Sequence, residues 1–232
     1  MRSIDLTEIR ELPLFTDMAD DNFEQLMRGA YLQNFPPQVE LISEGDHSDF
    51  LHIVVEGSVE LFASWNNRET TMATVRPISA FILAAALKDA PCLMSARTLE
   101  KAKLILLPAV DVRAVFEIDN SFARAVVTEL AQCYRGVIKS TKNLKLRTSI
   151  ERLANQLIKL HVRSGGLLEF SLNVEKKRLA SYLGMTPENL SRAFKTLQAY
   201  GVIIDGQNVK LTDIQSLKDL AKPTALIDDP KS

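Results

Sequence analysis

VEKKRLASYLGMTPENLSRAFKTL, residues 174–197, is the stretch that decides how this chain is read. A first helix runs to about Leu183, with Leu179 and Leu183 on its buried side, and Gly184 makes the turn. Thr186 then has the side chain of an N-cap, and Pro187 takes the first helical position, where its missing N–H costs nothing. Leu190, Ala193, Phe194 and Leu197 recur at i, i+3, i+4 and i+7, the spacing of a buried stripe. Glu188, Ser191, Arg192 and Lys195 follow the same spacing on another face, uninterrupted by any apolar residue. A helix, a glycine turn and a second capped helix with a polar reading face make a helix-turn-helix. VIIDGQNVKL follows, two short β-runs around Asp205-Gly206, and this hairpin signal predicts a wing. The bland alternative is a helical hairpin with a solvated face that binds protein. Length, cap, polar stripe and wing together favour double-stranded DNA.

Residue chemistry then assigns roles on a duplex. Arg192 can bond guanine O6 and N7, Glu188 can accept from cytosine N4, and Ser191 can touch a thymine methyl. Lys195, Lys176 and Lys177 suit phosphates, which position a protein without reading sequence. Thr186 and Asn189 complete the candidate DNA-contact set.

The charge distribution agrees. The chain has 232 residues and a net charge of −1. Residues 1–145 hold 15 Lys+Arg against 20 Asp+Glu, whereas residues 146–232 hold 13 against 9. An acidic front and a basic back suggest two functions, with a polyanion as partner for the back. Apolar residues at 46% and charged residues at 25% exclude collagen-like, disordered and disulfide-scaffold classes. No apolar run reaches the roughly 18 residues that span a bilayer. The N-terminus lacks the apolar core of a secretory signal, and Cys92 and Cys133 stand far apart, so a cytoplasmic protein without a membrane partner is expected.

Upstream of the motif the chain divides into domains at 1–118, 119–145 and 146–232. Residues 20–34 read as a short helix. From Val39 to about Leu107, short apolar runs (VELI, FLHIVV, SVELFAS, TTMATV, LEKAKLILL) alternate with turn signals, which predicts an antiparallel β-barrel or sandwich. Residues 108–118 read as a short helix, and Asp119 or Asn120 can cap a long one. Along it Phe122, Val126, Leu130, Cys133, Val137, Ser140 and Leu144 fall at intervals of 4 and 3, close to a heptad seam. Such a face can lie on its own domain or pair with a twin, and a homodimer is favoured. A further helix runs from about Arg147 to Val162, and the tail KPTALIDDPKS is expected to fray.

Two motifs, LISEGDHSDFLHIVVEGSVEL and LASYLGMTPENLSRAFKTL, make residues 10–215 resemble the CRP/FNR family of bacterial transcription regulators. The resemblance implies an α+β fold. Its parts would be an N-terminal cyclic-nucleotide-binding-type β-barrel of the jelly-roll kind, a long dimerisation helix and a C-terminal winged helix-turn-helix. It also implies a homodimer, a palindromic target, contact with RNA polymerase and control by a signal in the barrel. Glu188, Ser191 and Arg192 occupy the E-x-x-S-R positions that in the FNR branch read TTGA-type half-sites. The family's cyclic-AMP cassette does not survive in PISAFILAAALKDAPCLMSART. Ala84 stands at its Glu position and Met94 at its Arg position, and only Ser95 and Ala96 remain. A buried phosphate without a cation would be unpaired, so cyclic AMP is not expected. Arg97 lies near, but strand alternation turns it to the other face. An iron–sulfur cluster needs four cysteine ligands, and none precedes Cys92.

An apolar pocket remains, lined by Phe81, Ile82, Leu83, Ala84, Ala85, Leu87, Leu93, Met94 and Ser95. It resembles the NnrR/DNR (nitric oxide) and HbaR (aromatic acid) branches. The first expectation is therefore nitric oxide sensed through haem, with His52 or His47 as the candidate axial ligand. The alternative effector is a small organic molecule such as an aromatic acid. His52 can equally be a packed core histidine, and His47 an exposed loop residue. Glycine-rich nucleotide loops, nucleophile elbows and HExxH or CxxC motifs do not occur, so no enzyme is expected. A protein-interaction scaffold would keep the long helix but has no need of the Glu188, Ser191 and Arg192 face.

Overall fold

The computed structural model describes residues 3–229 except Asn67 and Asn173. It divides into two compact units, 1–133 and 134–232. The first contains α1 (Ser3–Arg10), α2 (Asp20–Arg28), β1 (Tyr31–Phe35), β2 (Glu40–Ile42), β3 (Phe50–Glu56), β4 (Val59–Trp65), β5 (Arg68–Val75), β6 (Ser79–Phe81), α3 (Leu83–Lys88), β7 (Ser95–Thr98), β8 (Ala102–Pro108), α4 (Ala109–Ile118) and the start of α5 (Asn120–Leu146). The second holds the rest of α5, then α6 (Ser149–Arg163), β9 (Glu169–Ser171), α7 (Lys176–Tyr182), α8 (Pro187–Leu197), β10 (Val202–Asp205), β11 (Asn208–Leu211), α9 (Ile214–Ala221) and α10 (Ala225–Asp228).

The strands form two antiparallel four-stranded sheets, ordered β1-β8-β3-β6 and β2-β7-β4-β5. Among the described residues no ladder joins the two, so they make a sandwich and not a closed barrel. Val54, Val59, Leu61, Phe81, Ala96 and Leu104 fill one core, which draws on both sheets. Leu51, Ile53, Ile105 and Leu107, alternate residues of β3 and β8, join Phe15, Leu26 and Val112 in a second core against the helices. Strands buried on both faces lose the polar alternation, which is why FLHIVV and KLILL read as continuous apolar runs.

The predicted helix over 20–34 is half strand. Asp20–Arg28 is helical and Gly29 ends it, but Tyr31–Phe35 pairs residue for residue with Ala102–Leu106 of β8. A ladder partner some seventy residues away is invisible to local periodicity.

The long helix starts where expected. Asp119 Oδ1 accepts from the N–H groups of Ser121 and Phe122, and its Oδ2 from Ala19 N–H and Asn22 Nδ2. The first residues of the seam face their own domain. Phe122 and Val126 are wholly buried in the helix-side core, with Phe122 stacked on Phe15 at 6.2 Å, and Leu130 is half-buried against it. Cys133 and Val137 are exposed, as are Val127, Tyr134 and Ile138. The seam thus divides, because two turns of α5 complete the α2–α4 core and the rest of the helix leaves it.

The second unit packs Leu153, Leu157, Leu179, Leu183, Leu190, Phe194, Leu197 and Leu217 around one core, beside a sheet ordered β10-β11-β9. The DG signal is borne out: Gly206 and Gln207 join β10 to β11. The tail departs from the frayed segment expected of it, since residues 225–228 form α10 and Asp228 is paired; Pro230–Ser232 lie outside the described residues.

Candidate nucleic-acid interface and effector domain

Thr186 caps α8 through its hydroxyl, which accepts from Asn189 N–H at 3.2 Å, and Pro187 opens the helix. Leu190, Ala193, Phe194 and Leu197 are buried. Glu188, Asn189, Ser191, Arg192 and Lys195 are all exposed on the other side, and Lys176 and Lys177 are exposed at the start of α7. Helical spacing holds the reading residues together: Arg192 lies one turn beyond Glu188, and Lys195 one turn beyond Arg192. Hydrogen bonds at Glu188, from its own backbone and from Thr186, and the charge of Arg192 hold its carboxyl below the usual range. It is therefore an acceptor at neutral pH. Ser191 Oγ donates to Pro187 O at 3.0 Å and keeps its lone pairs for a ligand. At the wing, Lys210 pairs with Glu169.

The sequence reading did not find the residues that hold this unit to the end of α5. Only Arg147 and Thr148 separate α5 from α6. Thr148 and Glu151 form a reciprocal capping box. Arg152 Nε donates to Leu183 O at 2.7 Å and Nη2 to Gly184 O at 3.2 Å, while Nη1 donates to Arg147 O at 2.7 Å and Leu144 O at 3.5 Å. One guanidinium thus ties the helix-turn-helix turn to the α5–α6 junction. Thr148-x-x-Glu151 was legible as a capping box. Arg152 gave no local signal, because two of its acceptors, in the helix-turn-helix turn, are carbonyls some thirty residues away.

In the first unit the predicted pocket residues do not line one cavity. Phe81, Ile82, Ala85 and Met94 belong to the core that draws on both sheets. Leu83 and Leu87 belong to the helix-side core. Ala84 is exposed and Leu93 is 82% exposed. Ser95 Oγ accepts from Glu44 N–H at 2.9 Å. Ala96 lies in the core with Val59 and Leu61, so Arg97 and its cross-strand partner Glu60 take the opposite face of their sheet. There Arg97 lies over the Phe62 ring at 4.2 Å, donates from Nε to Glu60 at 2.8 Å and makes a fork onto Glu69. Glu60 is buried and also accepts from Thr71.

His52 is buried on β3, its ring stacked on Phe81 at 5.1 Å and its Nδ1 3.1 Å from Phe50 O. Burial lowers its pKa to about 4 against the opposing hydrogen bond to Phe50, so the ring is neutral near pH 7. His47 is exposed and bridges to Pro91. Cys92 is buried and Cys133 exposed. Among the described residues no group of three or more His, Cys, Asp or Glu could hold a metal ion, and no helix is long and apolar enough to cross a membrane.

This geometry agrees with what the chain is similar to. Residues 151–220 match the Crp-like helix-turn-helix domain, and residues 32–119 match the cyclic nucleotide-binding domain. The chain thus carries a Crp-like DNA-binding helix-turn-helix behind a cyclic nucleotide-binding domain, the two parts of a CRP/FNR-type transcription regulator. Solved structures share the fold. A transcriptional regulator assigned to the crp/fnr family from Eubacterium rectale matches with a TM-score of 0.76 and 16% identity, over 91% of this chain and 99% of that one. FixK2 from Bradyrhizobium japonicum matches with 0.70 and 22%, over 84% and 99%. The c-di-GMP responsive global regulator CLP from Xanthomonas campestris matches with 0.70 and 18%, over 83% and 99%. A comparison with curated proteins gives no match.

Proposed function

We propose that this regulator is a homodimer that reads a TTGA…TCAA palindrome, controlled by a small, largely uncharged organic molecule in its N-terminal domain. One observation carries the DNA reading: Glu188, Ser191 and Arg192 stand side by side in solvent on a capped helix whose opposite stripe is locked in the core. A gel-shift titration compares the palindrome with a scrambled duplex at fixed salt. Preference for the palindrome is expected, and equal affinity for both refutes the reading. The dimer reading is supported by exposed apolar residues of α5: Val137 lies on the heptad seam beyond its buried start, and Val127, Tyr134 and Ile138 form the stripe one position over, at intervals of 7 and 4. Two half-sites then fall about one DNA turn apart, roughly 34 Å. An effector drives the switch only through its different affinity for the two dimer states.

The effector class rests on Arg97. Its guanidinium is committed to Glu60 and Glu69, and a cyclic phosphate held between the sheets would have to do without it. We give His52 the polar role instead: a neutral imidazole with Nδ1 engaged leaves Nε2 for a ligand hydroxyl. The haem expectation fits less well. His52 could supply the ring nitrogen, but it is packed face to face with Phe81, and a macrocycle would displace that ring and Met94. Hemin added to protein purified without oxygen tests this: a stoichiometric Soret band that shifts with nitric oxide restores the haem sensor, and loosely held hemin leaves the organic ligand.

A further inference from the structure

Asp228 lies beyond the matched helix-turn-helix domain, yet it is bonded to Arg147, one of the two residues that separate α5 from α6. Arg147 Nη1 and Nη2 donate to Asp228 Oδ1 and Oδ2 at 2.8 and 2.6 Å, a two-bond fork. The Arg147 side chain is 8% exposed and that of Asp228 is 12% exposed. Lys159 of α6 adds a second cation at 3.2 Å, Thr224 N–H donates to Oδ2 at 2.8 Å, and Lys139 Nζ of α5 donates to Asp229 O at 2.8 Å. The segment therefore reaches α5, the junction and α6 together. Its apolar hold is slight: Ile227 is buried, but Leu226 is 69% exposed. A short segment held mainly by polar contacts and one buried apolar side chain opens more readily than the core beneath it.

We propose that residues 222–229 are a strap that sets the α5–α6 junction, with Asp228 as a positioning residue for DNA binding. Docked, the strap fixes Arg147, whose carbonyl is also held by Arg152, and Arg152 in turn holds the Leu183–Gly184 turn. The chain of contacts runs from Asp228 to the start of the reading helix. Released, the junction gains freedom that DNA binding must remove again, so affinity falls. The effect on DNA rests on the DNA-binding function proposed above, whereas the hold on the junction does not.

The test uses the full chain with Asp228→Asn and Asp228→Glu. Amide hydrogen exchange over residues 146–152 is expected to speed up about tenfold in Asp228→Asn, while the amides of α8 keep their rates. Affinity for the TTGA palindrome is expected to fall about threefold or more, and Asp228→Glu to recover most of both effects. Electrostatics alone predicts the opposite sign, because removing a carboxylate and freeing two cations would tighten binding to a polyanion. Unchanged exchange at the junction overturns the strap, and faster exchange with equal or tighter DNA binding overturns its positioning role. If the unaltered chain binds no DNA, the DNA-binding reading fails, and exchange alone decides whether the strap holds the junction. Should Asp228→Asn fail to fold, Lys159→Ala removes the outer cation and leaves the fork; a smaller rise in exchange over the same residues is expected, and no rise overturns the proposal.

Discussion

Arg192 stands in solvent on α8, while Arg97 lies against Phe62 between two carboxylates. In the proposed reading the same side chain serves recognition where it stands exposed and architecture where its donors are spent. Arg192→Ala is expected to cost about 1–3 kcal/mol of affinity for the palindrome and to relax preference at one guanine position. Competition with single-base variants of the duplex reads this, and a uniform loss across all of them would assign Arg192 to phosphate. His52 makes a pH prediction. Its folded pKa of about 4 lies below the ordinary 6.5, so the unfolded chain binds the extra proton between those values. The stability that the neutral ring contributes is complete above pH 6.5 and drains away as pH falls toward 4. At about 1.4 kcal/mol per unit this is on the order of 3 kcal/mol. Denaturant titrations of the protein and of His52→Phe across that window should diverge at low pH, and parallel curves would remove His52 as the cause.

At the level of elements, the helix-turn-helix depends on a backbone conformation at one turn. Gly184 has φ +62°, and a Cβ there would come within 2.7 Å of Leu144 Cδ2. Leucine can swing its methyl aside, but the left-handed backbone still costs an L side chain about 1–2 kcal/mol. Gly184→Ala should lower stability by that amount in chemical denaturation, and DNA affinity should fall with it because the same turn is held by Arg152. No loss of stability would mean that the turn tolerates a β-carbon. The start of α5 shows the opposite economy. One carboxylate, Asp119, caps the helix and also binds Ala19 and Asn22, so the helix entry and the N-terminal segment are ordered by the same group.

For the whole molecule, the proposed reading of two half-sites requires the α5 surface to find its twin. Val137 is 61% exposed, and burying it against a second copy is the expected source of stability. Val137→Asp would place a charge in that seam. Sedimentation velocity should show a dimer for the unaltered chain and a monomer for the variant, with palindrome affinity lost and the fold intact by circular dichroism. A variant that stays dimeric would move the interface off this helix.

How much of this was legible depends on the range of the interaction. The capped reading helix, its buried stripe and the hairpin after it were readable, because caps, i to i+4 spacing and turn residues are local physics. The turn of Arg97 away from Met94's side was readable too, since alternation in a strand is set by the backbone. The pocket was not: a run of apolar residues from Phe81 to Met94 looks like one wall, but the change from β6 to α3 sends its members into two cores and to the surface. The seam of α5 was half legible, because a heptad pattern does not say which partner covers which turn, and Phe122 and Val126 are covered by their own domain. The sequence by itself thus determined most of the element types, the exposed polar face of α8 and the residues that stand at the cyclic-phosphate cassette positions, all of them properties of neighbours along the chain. Only the tertiary structure decided that β1 is a strand, that Arg97 is spent on Glu60 and Glu69, and that Asp228 reaches Arg147, since each rests on a partner far along the chain that folding alone brings near.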